Sequence, residues 1–188
     1  FQGQMTREWM QEAMSALSEA DQKSAVQKVM AKGGMPTGFY TMFNGQDLRG
    51  WKGLVDNPVK RRNMSADTLA KKQIKADAVM RTGWYAKDEE LHFTGHGENL
   101  CSVKDYQDFE MFVDWKIEKD GDAGIYLRGS PQVQIWDLAR TSVGAQVGSG
   151  GLYNNVKNPK NPLKVADNPI DEWNTFRIIM KGERVTVY

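Results

Sequence analysis

The chain has 188 residues, 25 basic and 24 acidic, for a formal charge of +1. That length suits one domain with a real core, and the charge balance provides no single-sign field to draw nucleic acid or an anionic membrane. The single cysteine, Cys101, excludes an internal disulfide and a cysteine-built zinc cluster, and no apolar run approaches the ~20 residues of a membrane-spanning helix.

Phe1-Gln2-Gly3 resembles what a protease leaves of a cleavable tag, so residues 1–5 are expected to stand outside the fold and any natural leader to be missing. Residues 6–37 read as a helical segment. Thr6 can cap a helix carrying Trp9, Met10, Met14 and Leu17 at helical spacing, and Ser18 with Asp21 opens a second one that Gly33-Gly34 ends. A helix pair this small cannot bury itself, so it should pack on the main body or on a partner.

From residue 38 to 188 the texture changes to short strands separated by turns. Phe39–Phe43 is expected as a strand bounded by Asn44-Gly45, with Leu48–Trp51 after it. Residues 52–82 are charged and poor in β-branched pairs, which reads as an insertion or a long loop, with a helix as one option around Ala66 to Ala78. Trp84-Tyr85-Ala86 and Glu90–Thr94 flank Lys87-Asp88-Glu89 as a hairpin. Cys101 precedes the strongest strand signals and reads as a packed or edge thiol. Residues 141–170 are rich in Gly, Asn and Pro, a long loop of the kind that lines sites. Trp173–Met180 and Arg184–Tyr188 form a last hairpin around Lys181-Gly182-Glu183. The strand signal runs into Tyr188, so further strands are expected beyond it. Many short strands and no parallel α/β alternation argue for an all-β antiparallel sandwich.

Three runs carry the functional signal: Asp108–Lys116, Asp122–Arg128 and Gln132–Asp137. Each alternates with period two, so one face collects Phe109, Met111, Val113, Trp115, Ile125, Leu127, Val133 and Ile135. The other collects Glu110, Asp114, Lys116, Tyr126, Arg128, Gln132, Gln134 and Trp136. The first face reads as core. The second joins carboxylate, guanidinium, amide and indole, a set suited to a polyhydroxylated ligand such as a sugar, provided the three runs lie side by side over one hollow.

Phe43-Asn44-Gly45-Gln46-Asp47-Leu48-Arg49-Gly50-Trp51, Tyr106–Glu110, Asp122–Arg128, Gln132–Asp137 and Glu172-Trp173-Asn174, in this order and spacing, resemble the 3-keto-disaccharide hydrolase family. With Gly150–Asn155, the chain looks like members from Bacteroidetes-type bacteria. The resemblance implies a concanavalin A-like jelly-roll sandwich, with the helical segment as an N-terminal extension. It also implies export to the periplasm or cell surface, action on glycosides already oxidised at sugar carbon 3, and often a divalent metal of unspecified identity. A ketone there acidifies the hydrogen on carbon 2 and allows the aglycone on carbon 1 to be expelled by elimination, after which water adds back. That route needs a base and an electrophile, with a metal as one choice of electrophile, and dispenses with the paired carboxylates of ordinary glycosidases.

On this reading Asp114 is a candidate base or metal ligand, and Arg128 a candidate oxyanion partner. His96, in a loop beside Glu98, is a candidate base or ligand. Lys116, Gln132 and Gln134 can contact sugar hydroxyls, Tyr126 or Trp136 can stack on a ring, and Tyr153 and Asn155 can form a rim. Asp137 can hold metal or make the turn after its strand. His92, inside a strand signal, reads as structural. The competing account makes Asp114, Lys116 and Arg128 a cross-strand ion-pair ladder. At the level of function the alternative is a lectin-like carbohydrate-binding module, because jelly rolls host both. A third reading makes the N-terminal helices a docking element.

Overall fold

A computed structural model describes residues 38–188. The tag remnant expected at 1–5 and the helical segment expected at 6–37 lie outside the described residues.

Phe39–Phe43, expected as a strand, is irregular. Its rings go sideways instead: Phe39 lies 5.6 Å from Phe112 and Tyr40 stacks on Tyr106 at 6.3 Å. Asn44 then makes an Asx turn, its Oδ1 accepting from the backbone N–H of Gln46 and of Asp47 at 2.9 Å each. β1 (Trp51–Gly53) is the first strand, followed by a short helix α1 (Pro58–Arg62) and the 18-residue helix α2 (Ala66–Gly83). Asn57 and Ser65 cap the two helices by accepting from the N–H three residues on. Helix α2 grips β1 at Gly53, whose N–H donates to Asp77 Oδ1 at 2.9 Å and whose carbonyl accepts from Gln73 Nε2 at 2.8 Å. A Cβ on Gly53 would stand 2.2 Å from the Ala76 carbonyl oxygen, so glycine is required for that approach.

β2 (Trp84–Lys87) and β3 (Glu90–Phe93) form the expected hairpin. Its two turn residues, Asp88 and Glu89, both take positive φ, 52° and 62°, the twist that a two-residue hairpin favours. β4 (Leu100–Ser102) pairs with β1 and carries Cys101, part-buried, at mid-strand.

The remaining strands are β5 (Phe109–Trp115), β6 (Asp122–Tyr126), β7 (Gln132–Trp136), β8 (Asn174–Lys181) and β9 (Arg184–Val187). They form two separate sheets, ordered β5-β8-β9 and β6-β7. The core lies between them: Trp115, Phe176, Ile178 and Met180 from one sheet meet Leu127, Val133 and Ile135 from the other, with Phe109, Met111, Val113 and Ile125 packed around. The inward face is therefore the one the alternation defines. The lateral arrangement differs from expectation. β5 hydrogen-bonds along its whole length to β8, from Phe109↔Met180 to Trp115↔Asn174, and not to β6. The first alternating run, in β5, faces the other two, in β6 and β7, across the core, so its polar side points to the opposite exterior of the sandwich from theirs.

Candidate functional site

The exterior of β6-β7 is the one where functional groups converge. In register, Asp122 stands opposite Trp136, Gly124 opposite Gln134 and Tyr126 opposite Gln132. The far edge of β7 is covered by residues 149–153. Gln134 N–H donates to the Gly151 carbonyl at 2.9 Å, Tyr153 N–H to the Gln132 carbonyl at 3.0 Å, and Leu152 bridges Val133. β7 is thereby a central strand, which explains why four consecutive residues, Val133–Trp136, are buried.

Gln134 is only 3 % exposed and forms the floor. Its Nε2 donates to Asp122 Oδ1 at 2.7 Å, and its Oε1 accepts from Gln132 Nε2 at 3.1 Å. Arg140, from the loop after β7, donates through Nη1 to Asp122 Oδ2 at 2.5 Å. Gly124 makes room for this chain of groups, because a Cβ there would lie 2.2 Å from Gln132 Nε2. Tyr126 and Tyr153, 51 % and 49 % exposed, stand at the margin. Tyr153 meets Trp136 edge-on at 5.8 Å, and Lys160 Nζ lies 5.6 Å from its ring centroid. The Trp136 indole N–H donates to the Gly148 carbonyl at 3.0 Å, so it is a wall of the site whose polar end is already committed. A buried amide floor, a carboxylate–guanidinium pair and two exposed phenols form a surface on which hydroxyls can be read and rings can stack.

The structure places the sequence candidates in several different surroundings. Gln132, Gln134, Trp136, Tyr126 and Tyr153 share this face. Asp114 lies on the exterior of β5-β8-β9, where Thr175 Oγ1 donates to its Oδ1 at 2.5 Å; the shared hollow expected for Asp114, Arg128 and Gln134 is absent because β5 pairs with β8. Arg128 sits just past β6 at φ 53° and donates to the carbonyl of Gly182 in the β8–β9 turn. Lys116 Nζ lies over the Trp173 ring at 4.8 Å. His96 is in an exposed loop, its Nδ1 3.2 Å from the Thr94 carbonyl. Asn155 accepts from Lys157 N–H at 3.3 Å, within an open hollow bounded by residues 155–161. The ladder of Asp114, Lys116 and Arg128 does not form either, since each has a different partner.

Asp137 is 3 % exposed. Its Oδ1 accepts from Ala139 N–H at 2.9 Å and its Oδ2 from Asp120 N–H at 2.8 Å. These bonds, that from Ala139 first, hold its carboxyl below the usual carboxylate range. Both oxygens thus tie turns together. Among the described residues no three His, Cys, Asp or Glu side chains come together as a metal could require. On this face, among the described residues, the donors do not fit a hard cation held by several protein oxygens.

Asp122 and Arg140 are functional candidates that the sequence reading passed over. Asp122 lies two residues before Gly124 and four before Tyr126, so period two puts it on the same face. Arg140 gave no periodic signal, because it follows the strand in a turn.

Residues 38–188 match the family model described as a 3-keto-alpha-glucoside-1,2-lyase-like domain. The chain belongs to this family. The lyase-like domain is also similar to a crystal structure of a "putative glycosyl hydrolase" from Parabacteroides distasonis ATCC 8503. The two share 19 % identity with a TM-score of 0.51, over 92 % of this chain and 71 % of that one. At that identity the likeness shows the fold, a glucanase-like β-sandwich. No curated protein matches the chain. The family is a carbohydrate-acting one, and among the described residues no helix is long and apolar enough to cross a membrane.

Proposed function

We propose that the chain is an enzyme that cleaves 3-keto-glycosides, with the exterior of β6-β7 as its active face. The observation that carries this reading is the Gln132–Gln134–Asp122–Arg140 chain, built over Gly124 and bordered by Tyr126 and Tyr153. Asp122 is the base. It takes the hydrogen from sugar carbon 2, whose electron pair is delocalised onto the carbon 3 oxygen as the bond breaks. Arg140, already beside Asp122, supplies positive charge to that developing oxyanion. The pair then returns to form the carbon 1–carbon 2 double bond and expels the aglycone oxygen from carbon 1, and that oxygen leaves with the proton Asp122 had taken from carbon 2. Addition of water restores hydroxyl at carbon 1 and hydrogen at carbon 2, so the sum is hydrolysis. Gln132 and Gln134 hold sugar hydroxyls, and the two tyrosines border the ring.

The test is release of aglycone from a 3-keto-glucoside, with the matching unoxidised glucoside as control. Turnover of the keto sugar alone, with Asp122→Asn lowering kcat by about 10²–10⁴-fold, supports the reading. Saturable sugar binding without turnover points to the lectin-like alternative. Periplasmic or cell-surface residence accords with such a substrate and is proposed with it.

A further inference from the structure

An open hollow of about 440 Å³ lies in the loop between β7 and β8, lined by Asn155, Val156, Asn158, Pro159, Lys160 and Asn161. It is fastened to the edge of the candidate face. Gln132 N–H donates to Asn154 Oδ1 at 2.8 Å, and Tyr153 N–H to the Gln132 carbonyl at 3.0 Å. Leu152 N–H donates to the Lys160 carbonyl at 2.7 Å, which closes the loop on itself. The antiparallel bridge of Val133 with Leu152 sets Tyr153 opposite Gln132, and opposed residues share a face of a sheet. The half-exposed Tyr153 ring therefore stands beside Gln132, and Lys160 Nζ lies 5.6 Å from the centroid of that ring. A molecule laid across the ring meets the Gln132 end of the amide chain and the Lys160 ammonium.

The lining chooses the charge of what it receives. It contains one ammonium, three carboxamides and no carboxylate. From Tyr153 to Ala166 the chain carries Lys157, Lys160 and Lys164 and no acidic residue. Among the described residues Lys160 has no carboxylate partner, and the side chains of Asn158 and Asn161 make no hydrogen bond. Asn155 spends its Oδ1 on the Lys157 N–H at 3.3 Å and keeps its NH₂ to donate. The amides alone would serve a hydroxyl or a carboxylate; the ammonium, with no anion to answer it, favours the carboxylate. We infer that this hollow is the aglycone subsite of the β6-β7 face and that it selects an aglycone bearing a carboxylate, with Lys160 as the residue that sets the preference. The inference rests on the carbohydrate reading of that face.

Two glucosides that differ in charge test it on the full chain: 4-carboxyphenyl and 4-carbamoylphenyl glucoside, each unoxidised for binding and as the 3-keto compound for turnover. By calorimetry the acid should bind the wild type roughly fivefold tighter than the amide, and about 1 M sodium chloride should close most of that gap. Lys160→Met should bring the two affinities together, and Lys160→Arg should keep them apart. In turnover the acid should show the lower KM by a similar factor. Equal affinities and equal KM values in the wild type, or a preference for the acid that Lys160→Met leaves intact, overturn the inference while the proposed activity stands on its own turnover. 4-Hydroxybenzoate without its sugar should bind far more weakly than the acid glucoside; equal affinity would detach the hollow from the sheet face and overturn the aglycone role. A Lys160-dependent preference for the acid glucoside with turnover of neither 3-keto compound supports the subsite and retires the enzymatic reading instead. Neither binding nor turnover of either pair overturns both.

Discussion

Asp122 and Asp137 stand at the same end of the β6-β7 pair, since Asp137 follows Trp136, the register partner of Asp122, and their surroundings separate their work. Asp122 keeps a side chain 47 % exposed beside Arg140, where an incoming molecule can reach it. Asp137 has both oxygens closed off by backbone N–H groups, and its lowered pKa makes it a stabilising group. The sign follows from linkage: its contribution is whole above the ordinary value of 3.8 and is lost as pH falls through the lower folded value. Asp137→Asn should therefore melt lower than wild type at neutral pH, with the gap narrowing below about pH 4 in a thermal-melt series. A second pair of groups titrates apart for a different reason. Tyr106 donates its hydroxyl proton to Tyr40, and Lys104 Nζ lies 3.1 Å from the Tyr40 oxygen. That arrangement lowers the Tyr40 pKa and pushes Tyr106 up to about 12. Ultraviolet titration of the phenols should show one early and one late transition; Tyr106→Phe should delete the late one and move the early one upward.

At the scale of elements, local patterning was legible and pairing was not. The hairpin of β2 and β3 is written in adjacent residues, as are the helix from Ala66 and the last hairpin around Gly182, so each could be read directly. The inward faces of β5, β6 and β7 were equally plain. What alternation cannot contain is which strand lies beside which. β5 meets β8 across more than fifty residues of chain, and nothing in Phe109–Trp115 names that partner. The error mattered for function, because it moved Asp114 from the candidate face to the opposite exterior. Gly124 was visible as a strand glycine, but its purpose appears only when Gln132 is seen lying across it. Gly124→Ala should displace the Gln132 carboxamide, a flexible group that can swing away. The expected result is a raised KM for the sugar with a melting temperature within a few degrees of wild type, read by kinetics and thermal melts side by side.

Across the whole molecule, the two sheets are joined by more than the core. Arg128, from the end of β6, and Asp108, before β5, both hold Gly182 in the β8–β9 turn, one at its carbonyl and the other at its N–H. The residue read from sequence as an oxyanion partner is thus placed as a tie between layers. Arg177 and Glu110, at 2.6 Å and 14 % and 13 % exposed, lock the exterior of the larger sheet beneath Phe112 and Tyr188. Ile178 is fully buried between the layers. Ile178→Ala should cost about 2–5 kcal/mol in urea unfolding.

The amide chain on the candidate face also has a direction. Each carboxamide offers a donor at one end and an acceptor at the other, and both glutamines point their donors toward Asp122, where the Arg140 guanidinium arrives from the other side. A carboxylate is the one terminus that can absorb donors from both neighbours. An asparagine in its place must aim its own NH₂ at Gln134 or at Arg140, and either choice sets donor against donor. The polarity of three hydrogen bonds thus makes the identity of residue 122 a requirement of the architecture, apart from any part it takes in moving a proton.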